Sequence, residues 1–333
     1  MAAASEASRG RAGGSKARLV LTRHLPAPGM ARLRRDYVLW SAAQDRQLAP
    51  GEILAAAANA DALLVMALDR IDRTFFAALP AEVRVVATLS VGHDHIDLEA
   101  AHARGIAVVH TPDVLSDAVA EIGMLLILGA ARRAREGAEL IRRRLWTGWS
   151  PTQLIGSDIT GKRLGIFGMG RIGRTLAQRA RGFEMEIHYH NRQRLPADLE
   201  SGAIYHATFE SLLAMSDVLA LTAPATPQST RALNARTIEL LPEGALVVNI
   251  GRGVLVDDAA LCAALRSGRL AGAGLDVFDG EPAIYEGYHD APTAFLQPHQ
   301  GSSTMGTRLR MCDLLIDEID AFFAGRPLST RLI

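Results

Sequence analysis

Residues 163–173 read Arg163-Leu-Gly-Ile-Phe-Gly168-Met-Gly170-Arg171-Ile172-Gly173. A short apolar run of strand length opens directly into a GxGxxG pattern, and Arg171–Arg181 follows with helical spacing. A second strand-like run, Glu184–His190, ends about 20 residues further on. This order of strand, glycine loop, helix and strand suits a pyrophosphate. Gly168 permits the tight turn, Gly170 lets the backbone approach the anion, and Gly173 lets helix and strand pack closely. The helix N-terminus adds unpaired N–H groups and the positive end of a dipole. A glycine-rich turn without a ligand is the structural alternative. The flanking strand and helix favour dinucleotide binding.

Working outward, strands alternate with helices along most of the chain. Arg18–Leu21, Ala62–Val65, Val85–Leu89 and Ala107–Val109 read as strands, separated by helical patterns at Gly51–Asn59, Asp72–Ala78 and Leu98–Arg104. After the glycine loop, strand-bearing segments recur at Leu213–Leu221, Ala245–Ile250, Ala271–Val277 and Phe295–Gln297. The expectation is an α/β protein with two doubly wound parallel-sheet domains. One is a Rossmann cofactor domain over 113–300; the other is a flavodoxin-like substrate domain over 17–112 and 301–333, with residues 1–16 a disordered extension. The C-terminal helical pattern Thr304–Ala324 would cross back onto the first domain. A long pattern from Val114 to Gly137 reads either as a core helix or as a hinge helix that also packs on a second subunit.

Composition narrows the function. The chain has 333 residues, which favours two domains. Its 36 basic and 36 acidic side chains cancel, which argues against nucleic acid or an anionic membrane as main partner. The most apolar stretch, Ile122–Ala131, is too short to span a bilayer. The small, polar start lacks the apolar region of a secretory signal. Two cysteines, Cys262 and Cys312, make no disulfide framework, and a cytoplasmic, reducing location is expected. Lysine occurs only at Lys16, in the expected extension, and Lys162, so lysine-based reductases, Schiff-base enzymes and GxxxxGK[ST] nucleotide hydrolases are disfavoured.

The second strand ends in His190-Asn191-Arg192-Gln193-Arg194. An acid here would bond the ribose 2′-hydroxyl of NAD, and none is present. Two guanidiniums stand where a 2′-phosphate would lie, so NADP(H) is favoured and NAD(H) is the alternative.

Three later loops each follow a strand and each offers a candidate group: Arg252 in Asn249-Ile250-Gly251-Arg252-Gly253, Glu281 after Asp276, and His299 before Gln300-Gly301. Ligands of parallel sheets bind at the carboxyl ends of strands, so these groups are expected to converge beside a nicotinamide. Reduction of a 2-oxo acid needs a proton for the carbonyl oxygen as hydride reaches its carbon. A histidinium can donate it, a carboxylate on the other ring nitrogen can orient the ring and favour its charged form, and a guanidinium can hold the substrate carboxylate. Each residue alone also reads as an ordinary loop or core residue; three on successive strand ends favour catalysis.

With these residues in view, the chain resembles the D-isomer-specific 2-hydroxyacid dehydrogenases from about Arg18 onward. The matching stretches are Ser90-Val-Gly-His-Asp-His-Ile-Asp97, Thr111-Pro-Asp-Val-Leu-Ser-Asp-Ala-Val-Ala-Glu121, the glycine loop, Asn249–Gly253, Gly274-Leu-Asp-Val277 with Glu281-Pro282, and Pro298-His299. The resemblance implies that Arg252 binds substrate, that His299 is the acid/base with Glu281 as partner, and that Asp276 contacts the nicotinamide carboxamide. It implies that N–H groups of Val91 and Gly92 hold the substrate carboxylate, and that Leu221, Thr222, Ile250 and Gly301 join the cofactor contacts of Gly168, Gly170, Arg171, Ile172, Gly173, Asn191 and Arg192. Trp146-Thr-Gly-Trp149-Ser-Pro151, the Arg192 region and Gly325-Arg-Pro-Leu are similar to the glyoxylate/hydroxypyruvate reductase branch. There a tryptophan reaches the partner's active site in a homodimer; Trp146 and Trp149 both remain candidates, and the alternative is that both pack under a loop.

Asn191, His93, His95 and Gln300 depart from the commonest family residues. No third ligand accompanies the His93-x-His95 spacing, and no metal is assigned. The resulting expectation is an NADPH-preferring reductase of small 2-oxo acids, glyoxylate and hydroxypyruvate first. The rivals are a dinucleotide-sensing corepressor-like binding protein and a dehydrogenase for phosphoglycerate, D-lactate or phosphonate.

Overall fold

Continuous apolar runs such as Ala62–Val65 and Val85–Thr88 have no polar face, so they are stable only where both faces of a sheet are covered. The computed structural model describes residues 16–333, and there each of these runs is a fully buried strand. The expected extension at residues 1–15 lies outside the described residues. Lys16 does not extend freely: its Nζ donates to the Arg35 carbonyl.

The chain divides into two compact units, one comprising residues up to Leu115 and Ser303–Ile333, the other Ser116–Ser302. The first unit holds a five-stranded parallel sheet of β1 (Arg18–Leu21), β2 (Val38–Ser41), β3 (Ala62–Val65), β4 (Val85–Thr88) and β5 (Ala107–Val109), in the order β2-β1-β3-β4-β5. This is the flavodoxin-like order. Strand β2 and the helix Ala27–Asp36 were not expected. The helix begins among Pro26 and Pro28, which read as loop but cost nothing in a first turn whose N–H groups have no partner anyway. The C-terminal helix Met305–Phe323 packs on it: Gly29 lies against Cys312, and Arg32 bonds Asp313, Asp317 and Asp320.

The second unit holds seven parallel strands: β6 (Arg163–Phe167), β7 (Glu186–His190), β8 (Ile204–Tyr205), β9 (Val218–Leu221), β10 (Ala245–Asn249), β11 (Leu270–Leu275) and β12 (Ala294–Leu296). Their order, β12-β11-β10-β9-β6-β7-β8, reverses direction between β6 and β9, the switch point at which doubly wound sheets take ligands. Two parallel-sheet α/β units are therefore present, as the alternation implied.

The long helical pattern breaks. Ser116–Ala131 is one helix and Ala134–Arg142 another, because Arg133 turns left-handed at φ 51°. The freed Ala131 carbonyl accepts the Ser157 N–H at 2.8 Å. The first helix is a core element of its unit, with Gly129 seated on the Phe295 ring and Leu126 against Gly274. Among the described residues no helix is long and apolar enough to cross a membrane.

Candidate active site

The three glycines of the loop after β6 have three different surroundings. Gly168 has φ +99°, and a Cβ there would stand 2.6 Å from the Ala223 backbone. A Cβ on Gly173 would stand 2.8 Å from the Gly168 carbonyl oxygen. A Cβ on Gly170, the N-cap of Arg171–Arg181, would meet nothing within 4 Å among the described residues. The first two are needed for internal packing; the third keeps a space open at a helix N-terminus, as a pyrophosphate requires. Thr222 closes the turn from the end of β9, its Oγ1 donating to the Gly168 carbonyl at 2.7 Å. The residues present thus fit a dinucleotide.

A groove of about 1010 Å³ runs from this loop along the carboxyl ends of β6, β7 and β9. Asn191 lines it, with Oδ1 accepting the Met169 N–H at 2.7 Å. The two expected guanidiniums separate here. Arg194 pairs with Glu200 through Nε and Nη2, at 2.8 and 3.0 Å, and is not among the residues that line the groove. Glu200 itself is held below the usual carboxylate range by Arg194 first and Tyr189 second. Arg192 lines the groove, exposed and without an ion pair among the described residues. Sequence reading missed Arg231 and Arg236, which also line the groove from the segment between β9 and β10, Arg236 on the short helix Ala235–Ile238; Arg236 pairs with Glu210 at 3.3 Å.

The ends of β10, β11 and β12 bring the catalytic candidates together. Asn249 folds its loop by accepting the Gly251 N–H and donating to the Arg252 carbonyl. A Cβ on Gly253 would lie 1.8 Å from the Phe278 carbonyl carbon, so only glycine lets the Arg252 loop rest on the segment leading to Glu281. Glu281 accepts the Phe278 N–H at 2.7 Å through Oε1 and meets His299 Nδ1 at 2.7 Å through Oε2. Burial pushes the Glu281 carboxyl up, but the hydrogen bond and charge of His299, the Phe278 N–H and the charge of Arg252 outweigh it, leaving it below the usual range. The charge of Arg252 thus reaches the Glu281 carboxylate.

His299 has φ +53°, a left-handed conformation that disfavours side chains. Asp276 supports that loop. Its carbonyl accepts the His299 N–H at 2.8 Å, and its buried carboxylate accepts those of Gln300 at 2.6 Å and Gly301 at 2.8 Å. Burial pushes the Asp276 carboxyl up despite these donors. An imidazole held at Nδ1 by a carboxylate, a guanidinium whose charge reaches that carboxylate and an open glycine loop thus lie at the carboxyl ends of strands of one sheet.

The family of D-isomer specific 2-hydroxyacid dehydrogenases, through its NAD-binding domain, matches residues 124–301. The chain belongs to that family. It is 43% identical to the glycerate dehydrogenase of Hyphomicrobium methylovorum, over 96% of this chain and 99% of that one. To the glyoxylate reductase of Thermococcus kodakarensis it is 39% identical, over 94% and 95%. Among solved structures it is similar to the NADPH-dependent glyoxylate/hydroxypyruvate reductase of Sinorhizobium meliloti, determined with NADP and malonate, at TM-score 0.86, 31% identity and coverage of 96% and 97%. This 2-hydroxyacid dehydrogenase family comprises oxidoreductases using a nicotinamide dinucleotide and small acids.

The remaining expected residues of this dehydrogenase are scattered. Leu221 ends β9 and Ile250 directly follows β10; both are buried, the Ile250 N–H donating to the Leu221 carbonyl at 3.1 Å, and Ile172 is half-buried beside exposed Arg171. Val91 and Gly92 belong to the other unit, in the loop after β4. Trp146 and Trp149 are 53% and 81% exposed, so packing of both under a loop is overturned for this chain.

Proposed function

We propose that this chain reduces glyoxylate and hydroxypyruvate to the corresponding 2-hydroxy acids with NADPH preferred over NADH. The observation that carries the reading is the 2.7 Å contact of His299 Nδ1 with a Glu281 carboxylate whose other oxygen is already bonded. When bound, the reduced nicotinamide supplies hydride to the carbonyl carbon. His299 gives its Nε2 proton to the carbonyl oxygen, while Glu281 holds Nδ1–H and balances the ring's charge. Arg252 polarises the carbonyl and the adjoining carboxylate, and the N–H groups of Val91 and Gly92 bind that carboxylate. Asp276 fixes the His299 loop, and with Gly301 and Thr222 it would help hold the cofactor.

Arg192 supports NADPH, as does the lack of an acid at the end of β7. The glycerate dehydrogenase relative supports hydroxypyruvate, the oxidised partner of glycerate. A cytoplasmic homodimer completes the reading. Ile141, Leu145, Trp146, Trp149 and Ile155 form an exposed apolar segment suited to a second copy, from which Trp146 or Trp149 reaches the partner's site.

Initial rates on a panel of 2-oxo acids with NADPH and NADH test the reading. Turnover of glyoxylate and hydroxypyruvate at kcat/KM several-fold higher with NADPH is expected. Tight cofactor binding with negligible turnover overturns it in favour of a dinucleotide-sensing binding protein, and light scattering at twice the chain mass checks the dimer.

A further inference from the structure

The loop after β4 shows an ordered asymmetry. Three consecutive carbonyls are occupied: Ser90 O accepts the Thr111 N–H at 2.9 Å, Val91 O accepts His110 Nδ1 at 2.9 Å, and Gly92 O accepts the Ser90 hydroxyl at 2.7 Å. The N–H groups of the same three peptide planes, on Val91, Gly92 and His93, donate to nothing among the described residues. In a trans peptide N–H and C=O point in opposite directions, so fixing each carbonyl aims each N–H and polarises it as a donor.

The donors form a directional chain. A carbonyl can only accept, so the single Ser90 hydroxyl proton goes to Gly92 O. Ser90 Oγ must then accept from Thr88 Oγ1, 2.8 Å away, and Thr88 in turn from His95 Nε2 at 3.0 Å. Thr88 is fully buried, which shields this relay from water. Two imidazoles therefore anchor the loop, His110 directly and His95 through two hydroxyls.

We propose that His110 and the His95–Thr88–Ser90 chain are positioning residues that hold a three-amide cradle, Val91, Gly92 and His93, for a substrate carboxylate. The assignment rests on the proposed reading of Val91 and Gly92 and adds to it the third amide and the device that aims all three. Successive N–H groups of this kind bind anions in other folds.

The test uses the full-length enzyme and the variants His110→Ala, His110→Asn and Ser90→Ala. Each alanine variant should raise the KM for glyoxylate about 10-fold, one hydrogen bond's worth. The NADPH dissociation constant, which reports folding, should stay within about twofold. His110→Asn, whose amide can donate to Val91 O, should recover most of the loss. Glycolaldehyde, which has the carbonyl but no carboxylate, should show no matching change in KM. Unchanged glyoxylate KM in both alanine variants overturns the proposal, and so does an equal loss with glycolaldehyde. Oxalate titrated calorimetrically into the NADPH-bound protein separates the two readings. If wild type turns over no 2-oxo acid yet binds oxalate about 10-fold tighter than both alanine variants, the cradle stands and the reductase reading falls.

Discussion

Glu281 and His299, 18 residues apart in sequence, meet at 2.7 Å between Oε2 and Nδ1, and the backbone on both sides is built to keep them there. Phe278 N–H holds the far oxygen of Glu281; Asp276 holds the peptide groups around the left-handed His299. His299→Ala should lower kcat by roughly 10²- to 10⁴-fold, the usual contribution of a positioned acid/base, while NADPH still quenches tryptophan fluorescence with the wild-type dissociation constant. A variant with near-normal turnover ends the assignment.

The pair also makes a pH prediction. Glu281 is depressed in the folded protein, so its unfolded form binds protons more readily. Its contribution to stability is complete above the ordinary carboxylate value of about 4.3 and is lost as pH falls through the folded value. Glu281→Gln should therefore be less stable than wild type at pH 7, and the gap in urea midpoint should narrow only as the pH falls below about 4.3. A gap that widens below that pH contradicts the depressed carboxyl.

Arg192 and Arg194 should behave differently although they are two residues apart. Arg192→Ala is expected to raise the KM for NADPH about 10- to 100-fold and leave that for NADH within about twofold, the loss of a charge-assisted phosphate contact. Arg194→Ala removes the partner of Glu200 and should lower the urea midpoint without changing the NADPH-to-NADH ratio. Equal effects of Arg192→Ala on both cofactors would remove the basis for NADPH preference.

That difference marks the limit of what sequence could tell. Runs such as Ala245–Asn249 are apolar throughout and announce buried parallel strands; the Rossmann unit was legible for this reason. Strand β2 was not, because its Val38 and Trp40 are exposed on an edge and the run is short. The break at Arg133 has no glycine or proline to signal it. It depends on Ser157 arriving from elsewhere to satisfy Ala131. The Arg194–Glu200 pairing likewise depends on where the helix Ala197–Glu200 folds back against β7. Strand-end positions of Arg252, Glu281 and His299 followed from alternation alone; the glycine that seats Arg252 against the Glu281 segment is visible only in three dimensions.

Both thiols should be silent in the native protein. Cys262 and Cys312 are buried, and burial pushes both up, Cys312 to about 11. Thiolate, the reactive form, is scarce at pH 8 under those conditions. A thiol reagent should modify well under one site per chain in native protein and both after unfolding in guanidinium. Rapid native labelling would contradict the burial.

The glycine loop yields a contrast between folding and binding. Gly168→Ala must force φ +99° on a side chain and push the Ala223 backbone, and Gly173→Ala must push the Gly168 carbonyl. Each should cost about 1–3 kcal/mol as overpacking, read as a lower urea midpoint. Gly170 has φ −77° and open space around its absent Cβ, so Gly170→Ala should fold with wild-type stability. Its methyl group then stands where the pyrophosphate must approach the helix N-terminus, and cofactor affinity should fall at least about 10-fold. A Gly170→Ala protein that binds NADPH normally would mean the anion lies elsewhere. One as unstable as Gly168→Ala would mean the space beside Gly170 is filled by the protein itself.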